Sequence, residues 1–297
     1  MKNMQKTLFA AIVGRPNTGK STLLNAILGQ KVAIVSSKPQ TTRTRITGIL
    51  TKEETQFVFL DTPGIHRPQD KLGSYMVKEA NGAIGDVDAV LLVVQSGDRV
   101  GEVEKSIMKK VDEDTPLILV INKTDISNAA QIAETIVRFS AEREFSAVVP
   151  ISAKNNEGVE FIIEELGKYA CESPWFFPDD IVTDQPERAI AAEIIREKML
   201  RLLAEEIPHG VAVVIEAFEE TSKIIKIRAE IFCERDSHKP IIIGKHGDML
   251  KKIGTMARED LEKILGIKVF LDLWVKVKEN WREQNAAIAN FGFKDEN

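Results

Sequence analysis

Cysteine is scarce in this chain, with only Cys171 and Cys233 among 297 residues. Two thiols so far apart exclude a disulfide framework and a cysteine-based metal site, and they are expected in a reducing compartment. Long hydrophobic runs are also missing, because even runs such as Leu8–Val13 fall far short of the roughly 20 residues that cross a bilayer. The polar segment Met1–Thr7 has no hydrophobic signal core. We therefore expect a cytoplasmic protein, attached at most to the surface of a membrane.

Positive charge is not in excess either, since 40 Lys and Arg residues stand against 45 Asp and Glu residues, for a net charge of -5. A protein that binds nucleic acid over its whole surface is expected to be basic, so this balance argues against one but allows a local basic patch. The composition, 43% hydrophobic and 29% charged, is typical of a soluble globular protein. A length of 297 residues favours about two domains.

Short, nearly continuous apolar runs in the first half predict strands that are buried on both faces. The runs are Leu8–Val13, Phe57–Leu60, Ala89–Val94, Leu117–Ile121 and Ala147–Ile151. Amphipathic segments separate them and predict helices, the clearest over Ser21–Leu28, Glu102–Val111 and Ala130–Phe145. This alternation indicates an α/β fold with a mostly parallel sheet and helices on both faces. Ligands of such folds bind beyond the carboxyl ends of the strands, so we expect the site residues there.

The segment 173–186, SPWFFPDDIVTDQP, interrupts the periodic patterns with three prolines and three aspartates and predicts a linker. We therefore expect one domain over 1–172 and a second, α+β domain over 187–297. The patterns in the second domain predict a helix, a hairpin, a helix, a strand and a final helix, over Glu187–Ile207, Val211–Phe218 with Ile224–Phe232, Met256–Leu265, Ile267–Val277 and Asn280–Phe291.

A phosphate-binding loop follows the first strand. The sequence from Gly14 to Ser21 matches G-x-x-x-x-G-K-[ST] and lies between a predicted strand and a predicted helix, as the motif requires. Backbone amides of such a loop and the first turn of the helix surround phosphate oxygens, Lys20 reaches the β- and γ-phosphates, and Ser21 ligates Mg²⁺. The candidate phosphate-binding residues are Gly14, Arg15, Pro16, Asn17, Thr18, Gly19, Lys20, Ser21 and Thr22.

The second strand ends in Asp61-Thr62-Pro63-Gly64. A carboxylate at the tip of a strand can hold Mg²⁺ directly or through water, and the amide of Gly64 can approach a γ-phosphate. Asp-Thr-Pro-Gly alone is also an ordinary turn sequence. Its position one strand after a phosphate loop makes the nucleotide-binding interpretation the stronger one.

Two further motifs follow the fourth and fifth strands. In Asn122-Lys123-Thr124-Asp125, the carboxylate of Asp125 can accept hydrogen bonds from N1–H and the exocyclic amine of guanine, which adenine cannot offer. Lys123 can cover one face of the base, and Asn122 can tie this loop to the phosphate loop. Ser152, Ala153 and Lys154 come after the fifth strand and fit a loop whose backbone closes over guanine O6.

In this order, GRPNTGKS, DTPG, NKTD and SAK are similar to the G1, G3, G4 and G5 boxes of translation-factor-class GTPases. The resemblance implies a P-loop NTPase G domain that binds GTP or GDP with Mg²⁺. It also implies a switch threonine between Pro39 and Arg45 and favours Thr42, although the residues alone leave Thr41 and Thr42 open. The candidate catalytic residues are then Lys20, Thr42, Gly64 and Asn17, and the candidate Mg²⁺ ligands are Ser21, Thr42 and Asp61.

One position departs from the pattern of Ras-type GTPases, which place a water-orienting glutamine directly after D-x-x-G. The residue here is Ile65, whose side chain can neither donate nor accept a hydrogen bond. Hydrolysis is therefore expected to be slow alone, or to use another group or an ion. Asn17 resembles the asparagine by which some related GTPases recruit K⁺, whereas His66, a conceivable base, is better interpreted as a loop residue.

The segment Ile241–Ile253 resembles the I-G-x-x-G-x-x-I core of KH domains, in which a GXXG turn between two helices clamps the backbone of a single RNA strand. The helix-strand-strand-helix-helix-strand order is that of a type II KH domain. Residues 239–282 carry ten basic and six acidic side chains, a local excess of positive charge. The candidate RNA-binding residues are Ile243, Gly244, Lys245, His246, Gly247, Lys251 and Lys252.

A G domain followed by a KH domain is similar to the Era family of bacterial GTPases over nearly the whole chain. The resemblance implies that the protein binds 16S ribosomal RNA near its 3′ end, acts in 30S subunit assembly and 16S maturation, and contacts the inner face of the cell membrane; a monomer is expected. Two alternatives stay open. Ile65 favours an RNA chaperone whose nucleotide site is mainly regulatory, and the segment Asn280–Phe291 would serve a membrane-associated regulator unless its thin apolar face packs on the domain.

Overall fold

The computed structural model describes residues 4–293, which form two compact units. The first unit ends at Asp184, and the second begins at Gln185 and also contains Pro68–Tyr75. The boundaries from sequence, 1–172, 173–186 and 187–297, assign the short segment 68–75 differently, and their outermost residues lie outside the described part of the chain. Each unit is described by itself below.

The first unit is built on one sheet, as its buried apolar runs predicted. The strands are β1 Lys6–Val13, β2 Ile46–Lys52, β3 Thr55–Asp61, β4 Ala89–Gln95, β5 Leu117–Asn122, β6 Ala147–Pro150 and β7 Cys171–Glu172. They lie in the order β2-β3-β1-β4-β5-β6, and β7 pairs with the start of β1. Pairing is parallel except that β2 and β7 run antiparallel to their neighbours. All five predicted runs form strands; β2 and β7 were not predicted.

Helices cover both faces of this sheet. They are α1 Lys20–Leu28, α2 Lys71–Gly85, α3 Glu102–Lys110, α4 Ala129–Ser140 and α5 Val159–Gly167. Of α2, the part from Met76 onward belongs to this unit. Alternate residues of β1 enter two separate apolar clusters, with Ile12 on one face and Val13 on the other, so both faces are core. The prediction of one helix over Ala130–Phe145 was wrong beyond Ser140, where the helix ends and the chain turns.

The segment predicted as a linker is bound along the first unit as far as residue 184. Gln56, fully buried on β3, accepts hydrogen bonds from the amides of Phe176 and Phe177 at 2.9 and 3.0 Å. Further along, the amide of Ile49 donates to Val182 O at 2.8 Å, and Thr183 Oγ1 donates to a carbonyl of the same edge strand. Backbone and side-chain hydrogen bonds to β2 and β3 thus hold this segment on the first unit.

The second unit has the order α-β-β-α-α-β that was predicted for a type II KH domain. Its elements are α6 Glu187–Leu202, β8 Ala212–Glu220, β9 Ile224–Cys233, α7 His238–Ile243, α8 Asp248–Leu265, β10 Lys268–Val277 and α9 Asn285–Asn290. The sheet order is β10-β9-β8, in which β10 runs parallel and β8 antiparallel to β9. The fold class predicted for both halves is therefore confirmed.

Three helix predictions in this unit need correction. The first helix ends at Leu202 instead of 207, because Leu203 is extended with ψ of 150°. The second begins at Asp248 instead of 256. The final helix is interrupted after a short turn over Trp281–Glu283, since the wholly buried Trp281 donates its indole N–H to Gly210 O at 2.9 Å.

The last helix, α9, buries apolar side chains instead of exposing all of them to solvent. Ala287 and Ile288 are buried, whereas Ala286 is exposed. This supports the interpretation that the C-terminal segment packs on its domain. Within residues 4–293, no helix is both long enough and apolar enough to cross a membrane.

Candidate nucleotide and nucleic-acid sites

The phosphate loop connects β1 to α1 at the carboxyl edge of the sheet. A Cβ atom on Gly19 would lie 2.2 Å from Asn122 Nδ2, so only glycine allows these two loops to approach so closely. α1 begins at the next residue, and its first amides have no partner within the helix. The loop therefore presents backbone donors and the positive end of a helix dipole to an anion.

Lys20 is buried in this loop, with 6% of its surface exposed. Its Nζ donates to Gly14 O at 3.2 Å and to Arg15 O at 2.8 Å. Burial lowers the pKa of Lys20 to about 8, and the nearby carboxylate of Asp61 opposes this shift. A buried ammonium that donates to carbonyl oxygens is a strong potential partner for phosphate oxygens.

The three predicted Mg²⁺ ligands meet beside the phosphate loop. Ser21 Oγ donates to Asp61 Oδ2 at 2.6 Å and lies 2.8 Å from Thr42 Oγ1. The other carboxylate oxygen of Asp61 is buried and has no hydrogen-bond partner among the described residues. Two hydroxyls and a carboxylate with an unpaired oxygen fit Mg²⁺, which takes few protein ligands and keeps several waters. Thr41 instead donates to Lys38 O at 2.7 Å, so the geometry favours Thr42 as the switch threonine.

Burial also affects the pKa of Asp61, the acidic residue of this cluster. It raises the pKa of Asp61 to about 6, against the lowering effects of Lys20 and of the hydrogen bonds from Ser21 and the Thr62 amide. Because the group is protonated below that pKa and Mg²⁺ needs the carboxylate, protons compete with the metal in acid. We expect the Mg²⁺ concentration that half-saturates nucleotide binding to rise about tenfold from pH 7 to pH 5.

This prediction is checked by titrating Mg²⁺ against a fluorescent GDP analogue at both pH values. The phosphates of the nucleotide titrate in the same range, so Asp61→Asn serves as the control, because only the nucleotide titrates in that variant. An equal pH dependence in wild type and Asp61→Asn would contradict the prediction.

The loop after β3 lies directly against the phosphate loop. A Cβ atom on Gly64 would lie 2.5 Å from Pro16 Cα, and the amide of Ile65 donates to Gly14 O at 3.0 Å. The side chain of Ile65 is 8% exposed and belongs to an apolar cluster of the first unit. It cannot orient water, as expected from its chemistry. His66 Nδ1 lies 2.8 Å from Gly64 O, so its ring is held in the loop.

The base-recognition motifs are joined by Asn122. Its Nδ2 donates to Thr18 O at 2.8 Å, and its Oδ1 accepts from the amides of Lys123 and Ala153 at 2.8 and 3.0 Å. Asp125 is exposed, and its Oδ1 accepts from the buried Ser152 hydroxyl at 2.9 Å. Asn122 thus links three loops, and Ser152 orients the Asp125 carboxylate, which would read guanine.

The remaining predicted residues of this site have different surroundings. Arg15 is engaged with Glu104, donating from Nη2 to Oε2 at 2.6 Å, and Asn17 Nδ2 donates to Ser37 O at 2.8 Å. Lys123 Nζ donates to Gln95 Oε1 at 2.7 Å, and Lys154 is exposed. Sequence reasoning missed part of the lining of the cavity beside the phosphate loop, namely Ile34, Val35, Ser36 and Gln40.

The GXXG turn lies between α7 and α8. A Cβ atom on Gly244 would lie 2.7 Å from the backbone N of Met249, so this glycine is needed for packing. Gly247 has φ of +85° and no atom within 4 Å of the place where its Cβ would be, which leaves open space above the turn. Lys245 and His246 between them are exposed. Such a turn allows the backbone of another chain to approach closely.

A cavity of about 400 Å³ adjoins the turn and runs between α8 and β10. Of its lining, Gly247 and Lys251 were predicted to bind RNA. Sequence reasoning missed the rest, which is Leu250, Gly254, Thr255, Arg258, Leu271 and Leu273. Helical spacing from Gly247 would have found the residues on α8, but not the leucines of the strand.

Residues 9–123 match the family described as 50S ribosome-binding GTPase, and residues 206–282 match the KH domain family. The chain is 48% identical over 293 residues to GTPase Era of Clostridium kluyveri, which covers 98% of this chain and 100% of the relative. The chain belongs to the Era family of GTPases. GTPase Era of Clostridioides difficile is 49% identical over 296 residues, with the same coverage.

Two solved Era structures share this fold. One is a variant of Aquifex aeolicus Era bound to GDP.AlF4-, and the other is Era in complex with MgGDPNP and nucleotides 1506–1542 of 16S ribosomal RNA. Each is 40% identical, covers 97% of this chain and 99% of its own, and has a TM-score of 0.93. The Era-family chain is therefore a GTP hydrolase with a P-loop G domain and a KH domain.

Proposed function

We propose that this GTPase is a nucleotide-controlled switch that binds the 3′ region of 16S ribosomal RNA during 30S subunit assembly and 16S maturation. The observation that carries the proposal is the convergence of Ser21, Thr42 and Asp61 beside the phosphate loop, in a chain that also has an open GXXG turn and groove. The Era relative that was solved with MgGDPNP and a 16S fragment supports the choice of nucleotide and RNA.

In the proposed cycle, Lys20 and the loop amides bind the β- and γ-phosphates, and Thr42 closes the cavity from the switch loop. Mg²⁺ would offset the charge that develops on the transferred phosphoryl group. Asp125 selects guanine. Loss of the γ-phosphate removes the contacts that hold Thr42 and the segment after Gly64 in place, so both segments are released on hydrolysis.

We propose that the covalent connections between the two units couple the nucleotide state of the first unit to RNA binding by the second. Pro68–Tyr75 belong to the second unit and begin only four residues after Gly64. Because most of the predicted linker 173–186 is bound along the first unit, the proposed pivot is the Asp184–Gln185 junction. Equal RNA affinity of the GDP and GTP-analogue forms would contradict this coupling.

RNA binding is tested with two glycines at opposite ends of α8. Gly247 and Gly266 both have positive φ and open space around the place of a Cβ, so Gly247→Asp and Gly266→Asp strain the fold similarly. Only the first places a carboxylate at the proposed RNA contact, and we expect its affinity for nucleotides 1506–1542 of 16S RNA to fall at least about tenfold. Fluorescence anisotropy measures the affinity of both variants.

Equal losses in Gly247→Asp and Gly266→Asp would contradict the assignment of the GXXG turn. Gly244→Asp is a poorer probe, because its Cβ would clash with the backbone of Met249 and disturb the fold.

A second candidate function is an RNA chaperone with a mainly regulatory nucleotide site. The buried Ile65 favours it, since its apolar side chain cannot orient the attacking water. Turnover measured with and without 16S RNA separates the two candidates, because the chaperone would stay slow in both conditions.

K⁺ binding at Asn17 would raise turnover, and equal rates of GTP hydrolysis in K⁺ and Na⁺ would exclude it.

Three further parts of the proposal come from the resemblance alone. The 30S precursor is the proposed partner, a monomer is the proposed state, and peripheral contact with the inner membrane is the proposed second location. Co-sedimentation with vesicles tests the membrane contact, and sedimentation equilibrium tests the monomer.

A further inference from the structure

The edge strand β10 carries different chemistry on its two faces. Leu271 and Leu273 line the groove beside the GXXG turn. Successive side chains of a strand alternate between faces, so Phe270 and Trp274 lie on the opposite, outer face of the sheet. Their exposed fractions are 57% and 58%. Single exposed apolar residues are common, but two large aromatics on one face of one strand call for an explanation.

Cationic side chains surround the two aromatics on this outer face. In the parallel register, Phe270 is opposite Lys226 and Asp272 is opposite Arg228. Lys268 and Lys276 occupy the same face of β10 as the aromatics, beside its two ends. We name the set Lys226, Arg228, Lys268, Phe270, Trp274 and Lys276 the outer stripe.

Two acidic groups of this face, Asp272 and Glu230, are the less exposed members of their ion pairs, whereas Glu219, opposite Lys226 on β8, is exposed. Arg228 pairs with Asp272 at 3.4 Å, with 55% of the arginine side chain exposed against 36% of the aspartate. Lys276 pairs with Glu230, and here 52% of the lysine side chain is exposed against 15% of the glutamate. The outer stripe therefore presents aromatic and positive surface to solvent, although the whole chain is net negative.

Two side chains of the outer stripe are also held in position. Trp274 Nε1 donates to Asp272 Oδ2 at 3.0 Å, and the same carboxylate oxygen pairs with Arg228. The indole and the guanidinium thus share one anchor. A surface that is already ordered loses less side-chain entropy when a ligand stacks on it.

We infer that the outer stripe is a second contact surface for the RNA, where unpaired bases stack on Phe270 and Trp274 and phosphates contact the neighbouring cations. The inference rests on the proposed function, and it extends the bound RNA beyond the groove. Aromatic platforms flanked by cations are how many proteins bind single strands. Because β10 is at the edge of the sheet, an RNA strand that leaves the groove can pass around it to the outer face.

The interleaved charges favour RNA over a protein as the occupant. The centres of protein interfaces are enriched in aromatics but depleted of lysine. Here lysines flank the aromatic residues at both ends and across the neighbouring strand. The two rings are four residues apart, which is about 13 Å along the strand, so they would support two separate bases instead of one.

The test uses the full-length protein with a GTP analogue and two RNAs. The long RNA is nucleotides 1506–1542 of 16S RNA, and the short RNA is the smallest truncation of it whose binding still depends on Gly247. We expect the double substitution of Phe270→Ala and Trp274→Ala to lower the affinity for the long RNA at least tenfold. The affinity for the short RNA should stay within twofold of the wild-type value. Trp274→Phe, which keeps a stacking ring, should retain most of the affinity for the long RNA.

Phe161→Ala is the matched control, because Phe161 is 55% exposed on a helix of the first unit. Melting curves and basal GTP turnover of the variants should equal those of the wild type. Equal weakening of both RNAs, or unchanged binding of the long RNA, overturns the inference. Failure of the wild type to bind even the long RNA would instead overturn the proposed function, so the two failures are distinguishable.

Discussion

Replacing Asp125 with asparagine is expected to lower the affinity for GTP by about 10⁴-fold and to make xanthosine triphosphate the better ligand. The carboxylate of Asp125 is exposed, and its Oδ1 is held by the Ser152 hydroxyl at 2.9 Å, which positions the group to accept from two donors on guanine. An asparagine amide offers one acceptor and one donor. Its N–H₂ would face the exocyclic amine of guanine, whereas xanthine has a carbonyl oxygen there.

Competition between GTP and xanthosine triphosphate for a fluorescent GDP analogue measures this exchange. Asp114→Asn makes the same change at an exposed position of the first unit and should leave GTP affinity unchanged. Ser152→Ala removes the hydrogen bond to the carboxylate and the acceptor of the Asn155 amide but keeps the carboxylate itself, so the loss of GTP affinity should be only about tenfold. GTP affinity within tenfold of the wild type in Asp125→Asn would show that another group reads the base.

The parts of the fold that the sequence predicted well are those in which local pattern and tertiary environment agree. The runs that became β4 and β5 are buried along almost their whole length, and continuous burial leaves a continuous apolar signal. The helix that became α1 starts directly after a phosphate loop, so its beginning was marked by the motif. The candidate base-reading residues were identified for the same reason, since each motif directly follows a strand.

The elements that were missed have weak local signals. α2 contains Gly73, Gly82 and a face of small residues such as Ala80 and Ala83, which contact the sheet without a strong apolar periodicity. β2 contains Gly48, where a Cβ would lie 2.5 Å from a side-chain atom of Leu24 on α1. Alanines satisfy close packing in α2, and Gly48 does so in β2. Alanine gives only a weak apolar signal and glycine lowers both helix and strand propensity, so neither element is clearly marked in the sequence.

The segment 173–184 shows why composition misleads about linkers. Its prolines and aspartates break periodicity, which predicted a free connection. The structure holds it by hydrogen bonds from positions far away in sequence, above all Gln56, whose amide side chain bonds both to the N–H groups of Phe176 and Phe177 and to Phe177 O. A single buried glutamine 121 residues away carries no signal in a one-dimensional pattern.

Replacing Lys20 with methionine is expected to lower GTP affinity by about 10³-fold. The ammonium is buried against loop carbonyls, and in the complex it would be the cation nearest the β- and γ-phosphates, where truncation of a buried charge pair costs several kcal/mol. Loss of this charge also removes the effect that lowers the pKa of Asp61, so Mg²⁺ should bind more weakly too. Methionine keeps the volume of the side chain, which avoids a cavity.

The pH dependence of binding shows whether the charge of Lys20 causes this loss. Burial lowers the pKa of Lys20 to about 8 in the nucleotide-free protein, while phosphate oxygens favour its charged form in the complex. Binding at high pH must therefore take up a proton, so wild-type affinity should fall about tenfold from pH 7 to pH 9. Lys20→Met should lack this fall, and exposed Lys52→Met should keep it. The same fall in Lys20→Met would assign the titration to another group.

Because burial disfavours the ammonium, the nucleotide-free variant should melt no earlier than the wild type, which separates a lost phosphate contact from misfolding.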